Sequence, residues 1–173
     1  MENRKVMVVS NTIGETIINV PSMHFRRVWE RKGAKKPIDL EILREIIYDP
    51  GVEIMFRKGI LYIEDMPTKI ELNLEDEGTT TPTNVVVLTD EQRQRLLSDI
   101  ITFEEFRKIC DGLSKQELIN LADYAIEKEM INMDKSRYLK VKTGKDILRT
   151  IENNKEWFEW LQLKQFTKLF WLR

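Results

Sequence analysis

The sequence has one cysteine, Cys110, and one histidine, His24, among 173 residues. A single cysteine excludes an intrachain disulfide and a cysteine-rich zinc site. A single histidine excludes sites that need two imidazoles, such as the two-histidine, one-carboxylate iron site. The seven glycines are too widely spaced to form a P-loop or a dinucleotide-binding fingerprint. No apolar stretch approaches the ~18 residues that a membrane-spanning helix needs.

The few remaining candidates for chemistry have simpler structural interpretations. Cys110 lies beside Ile109 on an apolar stripe, so we interpret it as a small buried hydrophobe rather than a nucleophile activated by His24. We expect His24, which precedes a basic stretch, at the surface or against a partner. The acidic run at residues 75–77 lacks the alternating ligand spacing of a calcium loop, and we expect a solvated loop. We therefore predict no catalytic residue, no metal, no cofactor and no enzymatic activity.

The composition is that of a folded chain with its own core, since 42% of the residues are hydrophobic and 33% are charged, with a net charge of −1. In the first 70 residues, β-branched runs predict strands, and apolar residues at helical spacing predict helices. Asp39 is the expected N-cap of the second helix, and Arg57 and Lys58 are the expected tip of a hairpin. We therefore predict an α+β fold, with an N-terminal ββααββ unit followed by a helical C-terminal half. The predicted elements of the unit are a hairpin over 5–10 and 15–20, helices over 21–32 and 40–47, and a second hairpin over 52–56 and 60–64.

The rest of the chain divides by composition into three parts. Residues 71–84 form an acidic and polar linker. Residues 85–154 predict a bundle of short helices, after one further strand at 85–88. Three capping boxes, with a hydroxyl at the N-cap and Glu or Gln three residues later, start at Thr89, Thr102 and Ser114. Residues 155–173 form a separate aromatic C-terminal arm.

The aromatic arm holds three of the four tryptophans of the chain. At 100° per residue its aromatic side chains form two groups on nearly opposite sides of a helix. The arm therefore either breaks near Leu163 or is one helix held between two partners. Because buried aromatic side chains are the usual anchors of protein interfaces, we predict that the arm binds other proteins, including other copies of the chain. The predicted partner-binding residues are Trp157, Trp160, Phe166, Phe170 and Trp171.

A basic segment at residues 24–36 supports an alternative function. Six cations stand there against a single acid, Glu30, and such a patch neutralises phosphates. Two helices followed by a hairpin with a basic tip also match a winged-helix outline, although the second helix carries acidic residues that repel DNA. The alternative is a winged-helix-like DNA-binding regulator. Its candidate nucleic-acid-binding residues are Arg26, Arg27, Arg31, Lys32, Lys35, Lys36 and Lys58.

The segments at residues 20–33 (VPSMHFRRVWERKG) and 49–56 (DPGVEIMF) resemble small uncharacterised proteins of tailed bacteriophages and prophages, and residues 87–92 do so more loosely. The resemblance implies a phage or mobile-element origin, and it assigns no functional residue. Small non-enzymatic proteins of that origin are often virion components or adaptors. We therefore predict a phage-type structural or interaction protein, located in the host cytoplasm and in the virion where it is a structural component.

Overall fold

The computed structural model describes the backbone of residues 4–170 and the side chains of residues 4–158 and 160. Half of the chain is helix and 15% is strand, with the strands at the N-terminal end, which confirms the predicted α+β class with a helical C-terminal half. The chain divides into two compact units. Unit 1 contains the chain up to Thr89 together with Gly112–Asn120. Unit 2 contains Asp90–Asp111 and the chain from Leu121 onward.

Unit 1 contains two antiparallel sheets. The three-stranded sheet has the order β4 (Lys35–Asp39), β1 (Lys5–Ser10), β5 (Leu61–Ile63), and the two-stranded sheet pairs β2 (Thr16–Val20) with β3 (Phe25–Trp29). The strands predicted at 5–10, 15–20 and 60–64 are confirmed as β1, β2 and β5. The predicted pairing of β1 with β2 is wrong, because each of them pairs with strands from elsewhere in the chain.

The predicted helix over residues 21–32 is wrong. After a 3₁₀ turn at Pro21–Met23, the residues from Phe25 to Trp29 form β3, and five of its residues lie opposite five of β2. Trp29 is fully buried and donates from Nε1 to the carbonyl of Val8 at 2.9 Å. The four-residue spacing from Phe25 to Trp29 fits one face of a strand as well as one face of a helix. Burial of Trp29 and pairing with β2 select the strand.

The predicted hairpin over residues 52–64 is also wrong. Asp49 caps a helix at Pro50–Arg57, with its carboxylate accepting from the backbone N–H groups of Gly51 at 2.9 Å and Val52 at 3.3 Å. Proline at the first position suits a helix start, since its fixed φ is already helical. Lys58 is the C-cap of this helix, so it is not the tip of a wing. The winged-helix outline therefore has neither its first helix nor its hairpin, and residues 85–88 are not a strand.

The helices follow several of the predicted start signals. Thr102 and Glu105 form a complete capping box, with the Thr102 hydroxyl and the Glu105 carboxylate each accepting the backbone N–H of the other. Ser114 accepts the N–H of Glu117 at 3.2 Å. Gly144, at φ +80°, ends α7 in a left-handed conformation. The helices are α1 Leu40–Ile46, α2 Pro50–Arg57, α3 Met66–Glu71, α4 Asp90–Leu97, α5 Phe103–Asp111, α6 Lys115–Glu127, α7 Met133–Thr143 and α8 Ile147–Phe170.

Each unit has its own buried apolar residues. In unit 1, Trp29 and Ile18 pack with apolar side chains of the three-stranded sheet and of α1 and α2. In unit 2, Phe106 packs edge-on against Tyr138 at 5.6 Å between ring centroids, which joins α5 to α7. Ile147 fixes the first turn of α8 in this unit. The described side chains of α8 beyond Ile151 are exposed.

Candidate functional site

Residues 155–170 of the aromatic arm form the C-terminal part of α8. Ile147 and Ile151 are buried at its start, but every described side chain from Glu152 to Phe158 is exposed. Trp157 is 58% exposed, Phe158 66% and Trp160 43%. Large aromatic side chains are usually well covered in a folded protein, so an exposed group of three is unusual. The first two turns of α8 therefore belong to the core of unit 2, whereas these aromatic side chains do not.

Trp157 and Trp160 of this exposed segment stack on each other. Their ring centroids are 5.1 Å apart and their planes differ by 21°, which is a stacked pair at i and i+3 on the helix. The backbone of α8 continues without a break to Phe170, so of the two alternatives for the arm the structure has the continuous helix. The side chains of Phe166 and Phe170, and all of Trp171, lie outside the described part of the chain.

The structure distributes the basic segment over two sheets. Arg26 and Arg27 are adjacent on β3, where successive side chains point to opposite faces. Lys35 on β4 pairs with Glu64 at 2.7 Å, and Lys36 pairs with Glu30 at 2.8 Å. These two lysines are thus already neutralised by carboxylates.

The remaining candidate cations differ from one another in their exposure and in their interactions. Arg26, Arg27, Arg31 and Lys58 are exposed and make no ion pair within 4.0 Å in the described part of the chain, although Arg27 lies over the ring of Phe25. Lys32 is half-buried and interacts within the chain. Binding of nucleic acid by the basic segment therefore stays a prediction, and it now depends on arginines of the β2–β3 ribbon rather than on a helix.

Cys110 is fully buried, and burial together with the negative charge of Asp111 raises the pKa of its thiol to about 12. A thiol of that pKa carries almost no thiolate at neutral pH, so its interpretation as a buried hydrophobe is confirmed. His24 is exposed, as expected, and its φ of +51° ends the 3₁₀ turn.

The expectation of a solvated loop at residues 75–77 is wrong for Glu75, which is 4% exposed. Its carboxylate accepts from the N–H of Thr83 at 3.0 Å, the hydroxyl of Thr83 at 2.7 Å and the N–H of Asn84 at 3.1 Å. Burial alone raises the pKa of Glu75, but these hydrogen bonds outweigh burial and hold that pKa below its ordinary value. Glu75 therefore organises the loop that was expected to be a linker.

Beside Glu75 lies a cavity of about 450 Å³, formed by unit 1. Apolar side chains such as Ile47, Phe56 and Leu72 line much of it, and the buried Lys69 lines it as well. Sequence analysis missed this site. Only one signal was present, a lysine on the short α3 helix with apolar residues at positions 70 and 72, and lysines near apolar residues are common on protein surfaces.

No helix in the part of the chain that the structure describes is long and apolar enough to cross a membrane. Comparison of the chain with protein-family models, with curated proteins and with solved structures finds no match.

Proposed function

We propose that this chain is a non-enzymatic protein-docking component, in which the exposed aromatic end of α8 anchors a protein partner. One observation carries the proposal, namely that Trp157, Phe158 and Trp160 stay exposed on a helix whose first turns are buried. The other described side chains from Glu152 to Phe158 are polar and exposed, and one of them, Lys155, forms an exposed ion pair with Glu129 of unit 2 at 3.0 Å.

The energetics favour such a role for the tryptophans. A large aromatic side chain buries 150–250 Å², so covering two partly exposed tryptophans removes a large apolar area from water. Tryptophan anchors at the centre of an interface are worth ~2 kcal/mol or more each. Because Trp157 and Trp160 already stack at 5.1 Å, little side-chain freedom remains to be lost on binding.

The finer form of the proposal concerns the partner. The resemblance of residues 20–33 and 49–56 to small phage proteins supports a virion protein or an adaptor. The first partner to test is a second copy of the chain, because it needs no other component and structural proteins of virions assemble from repeated copies.

The experiment compares the wild type with the double variant Trp157→Ala/Trp160→Ala. Ile100→Ala/Val141→Ala is the control, because these residues are 79% and 81% exposed and lie outside the aromatic arm. Sedimentation velocity over a concentration series measures self-association. Affinity capture from the source cell or from virions, followed by reconstitution with the purified partner, measures association with another protein.

We expect the tryptophan variant to lose association by about 100-fold or more while keeping the unfolding midpoint of the control. Two results would contradict the proposal. In the first, the wild type is monomeric and forms no reconstituted complex. In the second, the tryptophan variant unfolds at markedly lower urea concentration than the control, which would make the arm part of the core.

We infer nucleic-acid binding as a second candidate function, because Arg26, Arg27 and Arg31 are exposed and form no ion pair with any residue that the structure describes. The test is retention of the wild type on duplex DNA at increasing salt, where phosphate contacts predict a steep loss. Arg27→Glu/Arg31→Glu should abolish retention, whereas Arg57→Glu, an exposed arginine paired with Glu53, should not. Absence of salt-sensitive retention in the wild type excludes this function.

A further inference from the structure

The cavity of unit 1, named here the Lys69 cavity, lies among α1, α2, β5, α3 and the loop after α3. Its volume of about 450 Å³ falls within the range of small-molecule sites in proteins. Ile47 after α1, Phe56 from α2 and Leu72 after α3 contribute apolar surface to it. All of these residues lie between positions 47 and 85, far along the chain from the aromatic arm.

Lys69 is the unusual member of the lining. Its side chain is buried, with the residue 6% exposed, and its ammonium has no hydrogen bond and no carboxylate within 4.0 Å in the described part of the chain. Burying most of a lysine side chain while its ammonium makes no hydrogen bond within the protein is costly. The desolvation that this burial causes lowers the pKa of Lys69, and the negative charge of Glu75 offsets only part of the effect.

The other charged groups of the cavity already have partners. Glu75 uses its carboxylate on Thr83 and Asn84. Glu53 and Arg57 pair with each other one turn apart on α2. Among the charged residues that line the cavity, Lys69 is thus the one whose charged group makes no hydrogen bond in the described part of the chain.

We propose that the Lys69 cavity binds a small amphipathic carboxylate, whose single negative charge pairs with Lys69 and whose apolar body packs against Ile47, Phe56 and Leu72. A monoanion fits because the Lys69 ammonium makes no hydrogen bond in the described part of the chain, whereas a second negative charge would face Glu75 and Glu53. An apolar body fits because seven apolar residues, Ile47, Phe56 and Leu72 among them, contribute to the lining. A charge-assisted hydrogen bond inside a partly dry site gives the carboxylate its preference over a neutral ligand of the same shape.

The experiment uses three eight-carbon probes that differ in the head group, namely octanoate, 1-octanol and octylammonium. Titration calorimetry measures each affinity for the full-length chain at pH 7, and amide chemical shifts locate the bound probe. Lys69→Met keeps the length and apolar stem of the side chain but removes the charge. Lys58→Met is the matched control, since Lys58 is exposed and does not line the cavity.

We expect the wild type and Lys58→Met to bind octanoate at least about tenfold more tightly than 1-octanol, and octylammonium most weakly. In Lys69→Met, octanoate should bind no more tightly than 1-octanol, with the affinity for 1-octanol unchanged. The wild-type preference should also decline as the pH rises through the lowered pKa of Lys69, because the neutral amine has no charge to pair.

The proposal is overturned if the wild type binds neither octanoate nor 1-octanol, or if it binds 1-octanol as tightly as octanoate. It is also overturned if the perturbed amides lie outside residues 47–85. If Lys69→Met does not fold, the wild-type probe comparison and the shift map decide the matter alone. The Trp157→Ala/Trp160→Ala variant should bind octanoate like the wild type. This result separates the failure of the cavity proposal from the failure of the docking proposal.

Discussion

Replacing Lys135 by methionine removes the charged group that closes the C-terminal end of α4. Lys135 lies on α7 and is 2% exposed. Its ammonium donates to three carbonyls, those of Leu96 at 3.1 Å, Ser98 at 2.6 Å and Ile101 at 2.8 Å. The last carbonyls of a helix have no hydrogen-bond donor within that helix, so the Lys135 ammonium on α7 supplies a donor at the end of α4.

The magnitude follows from these three hydrogen bonds. A hydrogen bond to a charged group contributes ~1.5–3 kcal/mol, and a buried acceptor left without a partner costs ~1–3 kcal/mol. Methionine recovers part of this loss, because it avoids the cost of burying an ammonium and keeps contact with Phe106, over whose ring the Lys135 ammonium lies at 5.4 Å. We therefore expect Lys135→Met to lower the free energy of unfolding by ~3–5 kcal/mol.

The assay is urea unfolding followed by circular dichroism, with amide hydrogen exchange to show whether residues 96–106 open first. Lys142→Met is the matched control on the same helix. Lys142 also lies over a ring, that of Tyr138 at 5.4 Å, and pairs with Asp111 at 3.0 Å, but its side chain is 43% exposed. An exposed pair contributes ~0–1 kcal/mol. If the Lys135 variant loses no more stability than the Lys142 variant, the three-carbonyl argument is refuted.

Three further predictions concern single residues. Glu75→Gln should lower the free energy of unfolding at pH 7 by ~1–3 kcal/mol. Because the pKa of Glu75 is lowered in the folded state, its contribution to stability is complete above the ordinary pKa of 4.5 and is lost as the pH falls through the lowered pKa. The wild type and the variant should therefore converge in urea titrations at acid pH, and a pH-independent difference would contradict the assignment. Cys110, with a pKa of about 12, should react with iodoacetamide at pH 8 only as the chain unfolds, and reaction of the folded chain at the rate of a free thiol would show that the burial is incorrect. Gly59→Ala should lower the urea midpoint more than Gly144→Ala, although both glycines have positive φ. A Cβ at Gly59 would lie 2.8 Å from the Ser114 Oγ, whereas one at Gly144 meets no described atom within 4 Å, and equal losses would leave only the backbone effect.

Features that depend on neighbouring residues were predictable from the sequence. The capping box of Thr102 and Glu105 needs only a hydroxyl and a carboxylate three residues apart, and it forms as predicted. Asp39 precedes α1 as expected. The β-branched runs at 5–10 and 15–20 form strands, since such residues favour the extended backbone wherever their partners lie.

Features that depend on distant residues were not predictable. The pairing of β1 with β5 joins residues more than 50 positions apart, such as Val8 and Ile63, and a local hairpin between β1 and β2 is equally consistent with the sequence. Asp49 and Pro50 begin α2, where the sequence predicted the first strand of a hairpin over 52–56, because the same residue types occur at turns and at helix starts.

The two candidate sites, the aromatic arm and the Lys69 cavity, also differ in how far the sequence predicts them. The aromatic arm was predictable as an unusual composition, since three of four tryptophans lie within 19 residues, but only the structure shows that Trp157 and Trp160 remain exposed rather than completing the core. The Lys69 cavity was not predictable, because its lining comes from two helices, a strand and several loops.

The sequence by itself determined that the chain lacks the residues for a disulfide, a histidine-based metal site or a nucleotide-binding loop, and that an α+β unit precedes a helical half. These properties follow from composition and from patterns over a few residues. Only the tertiary structure decided that the basic segment forms strands, that Glu75 is buried and that Lys69 faces a cavity. Burial and hydrogen-bond partners decide these features, and both are supplied by residues distant in the sequence.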